Sequence, residues 1–113
     1  MTDKPQEQRR YPRIPAEKAV LVKKIGDEAS EALAKTQTVG RGGCMFIHHE
    51  PLGVGSGVEL LISFAGRVMR AQGKVVWEVV TEPGRVEVGV EFLRISPRDK
   101  KTLESALAEQ TAR

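Results

Sequence analysis

Apolar and polar residues alternate with a period of two along most of this chain. Val58, Leu60, Ile62 and Phe64 share one side of an extended segment, while Glu59 and Ser63 lie on the other. After a tight turn at Ala65-Gly66, Met69, Ala71, Gly73, Val75, Trp77 and Val79 alternate with Arg70, Gln72, Lys74 and Glu78. That predicts a long strand with one apolar face, bent or bulged at Gly73. Glu82-Pro83-Gly84 turns the chain, and Val86, Val88, Val90 and Phe92 then alternate with Glu87, Gly89 and Glu91. Towards the N-terminus, Val20 and Val22 predict a strand over Ala19–Lys24, with a turn at Gly26-Asp27. Cys44–His48 reads as another strand, set off by Gly40-Arg41-Gly42-Gly43. Ala32–Val39 carries a mixed signal: its first half holds helix formers, whereas Thr36, Thr38 and Val39 favour a strand.

The period changes at Ser96. Ser96-Pro97-Arg98-Asp99 supplies an N-cap, a proline in the first turn and an acid three residues after the cap. Leu103, Ala106 and Leu107 follow at helical spacing, which predicts a helix over 97–112 whose thin apolar stripe leans on the β-structure. Six strands with short turns and one terminal helix predict an all-β domain, a six-stranded antiparallel β-barrel over 19–93 with a C-terminal α-helix. Closure removes the edges that an open sheet would expose. The registers place Val20, Val22, Leu60, Ile62, Met69, Val75, Trp77, Val88, Val90 and Phe92 in the core.

Length and composition narrow the class. The 113 residues suffice for one core. Residues 1–8 are polar, predict disorder, and lack the apolar middle of a signal peptide. No apolar run reaches membrane-spanning length, so no membrane insertion is expected. The single cysteine, Cys44, cannot form an internal disulfide and reads as a small core side chain, with the cytoplasm as the expected compartment. The net charge of +3 is unevenly spread. Residues 1–24 hold Lys4, Arg9, Arg10, Arg13, Lys18, Lys23 and Lys24 against Asp3, Glu7 and Glu17, which leaves +4 there and −1 in the remainder. So local a positive end suits a small anion better than a nucleic-acid track.

The positive end is concentrated in a short arm over residues 9–15. Arg9, Arg10 and Arg13 are flanked by Pro12 and Pro15, which remove donors and push Tyr11 and Ile14 towards extended backbone. The arm is therefore neither a helix nor a central strand. Guanidinium groups fork to phosphate and stack on flat rings, so an anion with an aromatic face, such as a nucleotide, would use both properties. A solvated basic tail is the plainer alternative. Tyr11 either packs on the barrel or flanks a ligand.

An R-x-x-x-R arm, a D/N-x-S-x-x-G motif after it, a G-x-V-V-W-like strand and a final G-V-E-F-like strand before a helix together mark PilZ domains. This sequence resembles that family from about Gln8 onward. The arm is Arg9–Arg13, and the two strands contain Gly73-Lys74-Val75-Val76-Trp77 and Gly89-Val90-Glu91-Phe92. The resemblance implies a six-stranded β-barrel and, as ligand, the bacterial second messenger cyclic di-GMP, with no further cofactor. By that resemblance the site comprises Arg9, Arg10, Arg13, Thr38, Gly40, Arg41, Gly42 and Gly43. The second motif departs from the pattern, since Thr38 stands for the Asp/Asn, Gly40 for the Ser, and Gly43 alone matches. Losing those side chains costs about 1–3 kcal/mol at about 0.5–1.5 per hydrogen bond, one to two decades of affinity. Arg41 and an anion nest of glycine N–H groups are the expected compensation.

Other signals point elsewhere. Gly53-Val54-Gly55-Ser56-Gly57 imitates a phosphate loop, but a strand follows it where a helix would be needed, so a hairpin loop is expected. His48 and His49, adjacent on a strand, would face opposite ways and not share a metal. No nucleophile–base set is visible, which predicts a binding protein and not an enzyme. The leading expectation is a cyclic di-GMP receptor that passes its signal to a protein partner, placed in motility, adhesion or envelope control by family analogy alone. The first alternative is a degenerate adaptor that binds a protein without nucleotide. The second, a single-strand nucleic-acid barrel, needs exposed aromatic platforms, whereas Phe46, Phe64, Phe92 and Trp77 read as structural; no DNA or RNA partner is expected.

Overall fold

The computed structural model describes residues 13–26 and 30–111. Its elements are β1 (Arg13–Pro15), β2 (Ala19–Lys24), β3 (Ala32–Gly40), β4 (Gly43–His48), β5 (Gly57–Phe64), β6 (Arg67–Glu82), β7 (Arg85–Ile95) and α1 (Pro97–Thr111). The expectations for residues 1–8, Arg9, Arg10, Tyr11 and Ala112 lie outside the described residues.

All pairings are antiparallel, in the order β3-β2-β5-β6-β7-β4, and a further β3–β4 ladder closes the ring. The result is a six-stranded antiparallel β-barrel with one C-terminal helix, as the alternation predicts. The mixed segment resolves as a strand along its whole length, because β3 has ladder partners on both edges, Lys35 pairing with Ala19 on one side and with Ile47 on the other. Tertiary pairing there overrides the helix propensity of its first half.

Val20, Val22, Leu60, Ile62, Met69, Val75, Val88 and Val90 are completely buried, together with Val39, Phe46 and Val58. Each such side chain contributes roughly 1.5–3 kcal/mol relative to exposure. Phe92 is only partly buried and packs against this core. The helix closes one end by inserting Leu103, with Ala106 and Leu107 beside it. Its start is the expected capping box: Asp99 N donates to Ser96 Oγ at 3.1 Å, and Ser96 Oγ donates to Asp99 Oδ2 at 2.8 Å.

Two expectations need correction. The end of the arm is itself a strand, β1, which adds to β3 ahead of the six-stranded ring that begins at Ala19. Three residues of backbone find ladder partners on β3, in line with β2 and on the same edge. Trp77 is buried but lies outside the core cluster. A bulge between Val75 and Trp77 reverses the faces of β6, so Val75 pairs with the core residue Val90 while Trp77 pairs with Gly89. Val88 and Val90 point inward, hence Gly89 and the indole share the outer face. The same reversal leaves Val79 37% exposed.

The indole explains why a glycine stands at position 89. A Cβ there would lie 2.2 Å from Trp77 Nε1. The second strand motif holds a reciprocal contact, since a Cβ on Gly73 would come within 2.6 Å of both Glu91 O and Val90 Cγ1. The two glycines thus let β6 and β7 approach closely at two points and fix their bulged register.

Candidate ligand-binding site

The arm reaches the barrel through one buried hydroxyl. Thr36 is fully buried on β3, opposite the break between β1 and β2. Its Oγ1 accepts a bond from Lys18 N at 2.8 Å and donates to Ala16 O. Ala16 N donates to Gln37 O and Thr36 N to Lys18 O, both at 2.9 Å. The hydroxyl therefore carries the ladder across three residues, Ala16–Lys18, that leave the regular strand. The chain on the N-terminal side resumes pairing in a fixed register: Pro15 with Thr38, Ile14 with Val39, Arg13 with Gly40.

That register joins the two motifs that the sequence keeps apart. Arg13 stands directly across from Gly40, at the mouth of the β3–β4 hairpin. Val39 is buried in the core, so Thr38 and Gly40 belong to the outer face by strand alternation. Arg41 at the tip is exposed. Beyond the tip, Gly43 pairs with Glu91 of β7, Phe92 N donates to Gly42 O at 2.8 Å, and Glu91 pairs in turn with Lys74 of β6. A neighbouring outer row runs Thr38, Met45, Gly89, Trp77 across four strands. The site is thus a shallow outer surface. Arg41 and Lys74 bring positive charge to it, Glu91 brings a carboxylate, and Thr38 brings a hydroxyl, while Arg13 is placed beside them by its backbone register with Gly40. Such a set can hold phosphate through cations and a purine edge through acceptors. Arg9 and Arg10 lie outside the described residues.

The turn expected to form an anion nest, Gly40–Gly43, holds no left-handed glycine. Among the described residues, the glycines in left-handed conformation are Gly26, Gly53, Gly55, Gly66 and Gly84. Gly40, Gly42 and Gly43 are not among them, so an αR–αL alternation is not what would present N–H groups at this turn. The loop that imitates a phosphate loop does have that geometry, with Gly53 and Gly55 at φ +99° and +94°. Its anion is internal. The Glu78 carboxylate accepts from Leu52 N and from Gly53 N at 3.1 Å, and Ser56 Oγ donates to Leu52 O at 2.9 Å.

The two histidines do not diverge as expected, because β4 ends at His48. Their rings stack at 4.4 Å, and Glu50 O lies 2.8 Å from His48 Nδ1. Among the described residues no group of three His, Cys, Asp or Glu side chains is arranged to hold a metal ion. No described helix is long and apolar enough to cross a membrane.

Sequence reasoning missed Thr36, Glu78 and Glu91. Glu91 was legible as an outward position opposite a glycine-rich turn. Thr36 was not, because a register shift between Thr36 and Thr38 breaks the parity of β3.

A family model described as "PilZ domain" matches residues 7–109. A search of curated proteins finds no match. Among solved structures, the Bacillus subtilis inhibitor of motility MotI/DgrA superposes with a TM-score of 0.73 at 18% identity, covering 94% of this chain and 52% of its own. The PilZ domain of Escherichia coli YcgR with c-di-GMP gives 0.64 at 18% identity, covering 94% and 98%. K. pneumonia MrkH in complex with c-di-GMP gives 0.66 at 16% identity, covering 92% and 52%. The chain therefore spans about half the length of MotI and MrkH.

Proposed function

The chain belongs to the PilZ domain family, and on that premise we propose that it is a cyclic di-GMP receptor, a binding module whose output passes to a protein partner. The observation that carries this reading is the β1–β3 register, which sets Arg13 across from Gly40. The C-terminal end of the arm is thereby the backbone neighbour of the divergent second motif, which supports reading the two as one site. YcgR and MrkH, which share the fold, are each solved with c-di-GMP.

In this reading the arginines of the arm fork to the phosphates and cover a guanine face. Thr38 offers a hydroxyl to the nucleotide edge, and Glu91, two strands away, offers a carboxylate to guanine N–H donors. Arg41 and Lys74 neutralise the remaining phosphate charge. The cost of ordering the arm is reduced, because Thr36 already holds its C-terminal end against β3. Titration calorimetry with cyclic di-GMP tests the reading, with GTP as the control for charge and base alone.

A second reading is favoured by Thr38 and Gly40, where the family pattern has an amide or carboxylate and a hydroxyl. Under it the barrel is an adaptor for a protein and binds no nucleotide. Restoring the pattern with Thr38→Asn and Gly40→Ser then creates binding that the natural chain lacks.

A further inference from the structure

Towards the opposite end of β3 from Gly40, three leucines stand in register. Leu21 of β2 pairs with Leu33 of β3 on one edge and with Leu61 of β5 on the other. Their strand neighbours Val20, Val22, Leu60 and Ile62 are fully buried, so the leucines form a straight outward row across three strands. Leu33 is 78% exposed, and on β6, the strand beside β5, Val68 is 61% exposed. Helix α1 meets β6 and β5, and its apolar residues Leu103, Ala106 and Leu107 pack against the core.

Among the described residues, the rim of the row is mainly cationic. Lys35 follows Leu33 by two positions and pairs with Ala19, and Lys23 follows Leu21 by two and pairs with Glu59. Arg70 pairs directly with Leu61, and exposed Arg67 adjoins Val68. Of the carboxylates here, Glu59 is engaged by Arg70 Nε at 3.8 Å, and Glu31 sits at the far corner beyond Leu33. Leu33 and Val68 at the ends of the row are exposed and Leu21 and Leu61 between them are half-buried, and an outward apolar stripe with a charged border marks a contact surface.

We propose that this outer face of β2, β3 and β5 docks an amphipathic segment of a partner protein, with an apolar stripe for the leucines and carboxylates for Lys23, Lys35 and Arg70. A second copy of this chain fits less well, because face-to-face packing would bring the two cationic rims together. The proposal names the output surface for the receptor reading above, yet it does not require nucleotide to bind.

The test uses the full chain and a helical peptide of about five turns, leucine along one face and glutamate on both flanks. A second peptide carries lysine on the flanks, and phosphatidylglycerol vesicles serve as a lipid probe. The natural chain is expected to bind the glutamate-flanked peptide, weakly enough that salt of about 0.5 M abolishes it, and not the lysine-flanked one. Leu33→Glu should weaken binding at least about tenfold, and Lys35→Glu by a smaller factor. Both positions are exposed, so the fold is retained, and titration with cyclic di-GMP should read the same in both variants and the natural chain. If peptide binding is absent or indifferent to Leu33→Glu, the proposal fails. It fails equally if Leu33 is needed for vesicle binding or for self-association in sedimentation but not for the peptide. A lost nucleotide response with intact peptide binding removes the receptor reading and leaves this surface standing.

Discussion

Replacing Thr36 by valine keeps the shape of a fully buried side chain and removes its hydroxyl. Two backbone groups then lose their partner: Ala16 O, which accepts from Oγ1, and Lys18 N, which donates to it at 2.8 Å. A buried polar group left unpaired costs about 1–3 kcal/mol. Lys18 N is only part-buried, so its share falls near the low end, while the added methyl returns about 0.8 kcal/mol of apolar burial. The net expectation is a loss of about 1–3 kcal/mol. Thr36→Ser makes the opposite change, keeping the hydroxyl and deleting a methyl, and should cost about 1 kcal/mol. Urea unfolding of the three proteins measures both values, provided the m-value is unchanged. Serine more stable than valine supports the hydroxyl as the joint between β1 and β2. Valine as stable as serine, or more so, would refute the reasoning and make Thr36 an ordinary core residue.

Three further outcomes follow from the packing. Gly89→Ala should destabilise by about 2–3 kcal/mol through overpacking and shift the emission of Trp77, the chain's one tryptophan, as the indole is displaced. Glu78→Gln should leave the barrel intact but speed amide hydrogen exchange at Leu52 and Gly53, since a neutral amide holds those N–H groups less well. Leu103→Ala should cost about 2–4 kcal/mol and expose the end of the barrel that α1 covers, seen as a lower urea midpoint.

The alternation of side chains carried most of the fold, because each face of β5, β6 and β7 keeps one character over many residues. It failed where the ladder is irregular. The bulge between Val75 and Trp77 moves the indole to the outer face, and no pattern of residue types announces such a shift. Gly73, by contrast, was legible as a bulge, because a glycine within an apolar register has few other uses. The arm was read as extended, and its pairing was hidden because Pro12 and Pro15 argue against a ladder. Pro15 nevertheless sits at the end of β1, where the missing donor is tolerated. The likeness between Gly53–Gly57 and a phosphate loop was real in conformation but not in use, since the anion it holds is Glu78.

The central claim is that the arm and the β3–β4 turn form one nucleotide site, and calorimetry with cyclic di-GMP at fixed salt tests it most directly. The natural chain should release or absorb heat on titration. Arg9→Ala and Arg13→Ala should each weaken binding by about 1.5–3 kcal/mol, and lysine at either position should restore part of that, lacking the fork and the stacking plane. Thr38→Asn and Gly40→Ser should tighten it, the latter free of backbone strain because Gly40 is an extended strand residue. Equal binding by the natural chain and both arginine variants, or a silent natural chain beside a Thr38→Asn/Gly40→Ser double variant that binds, would contradict the account.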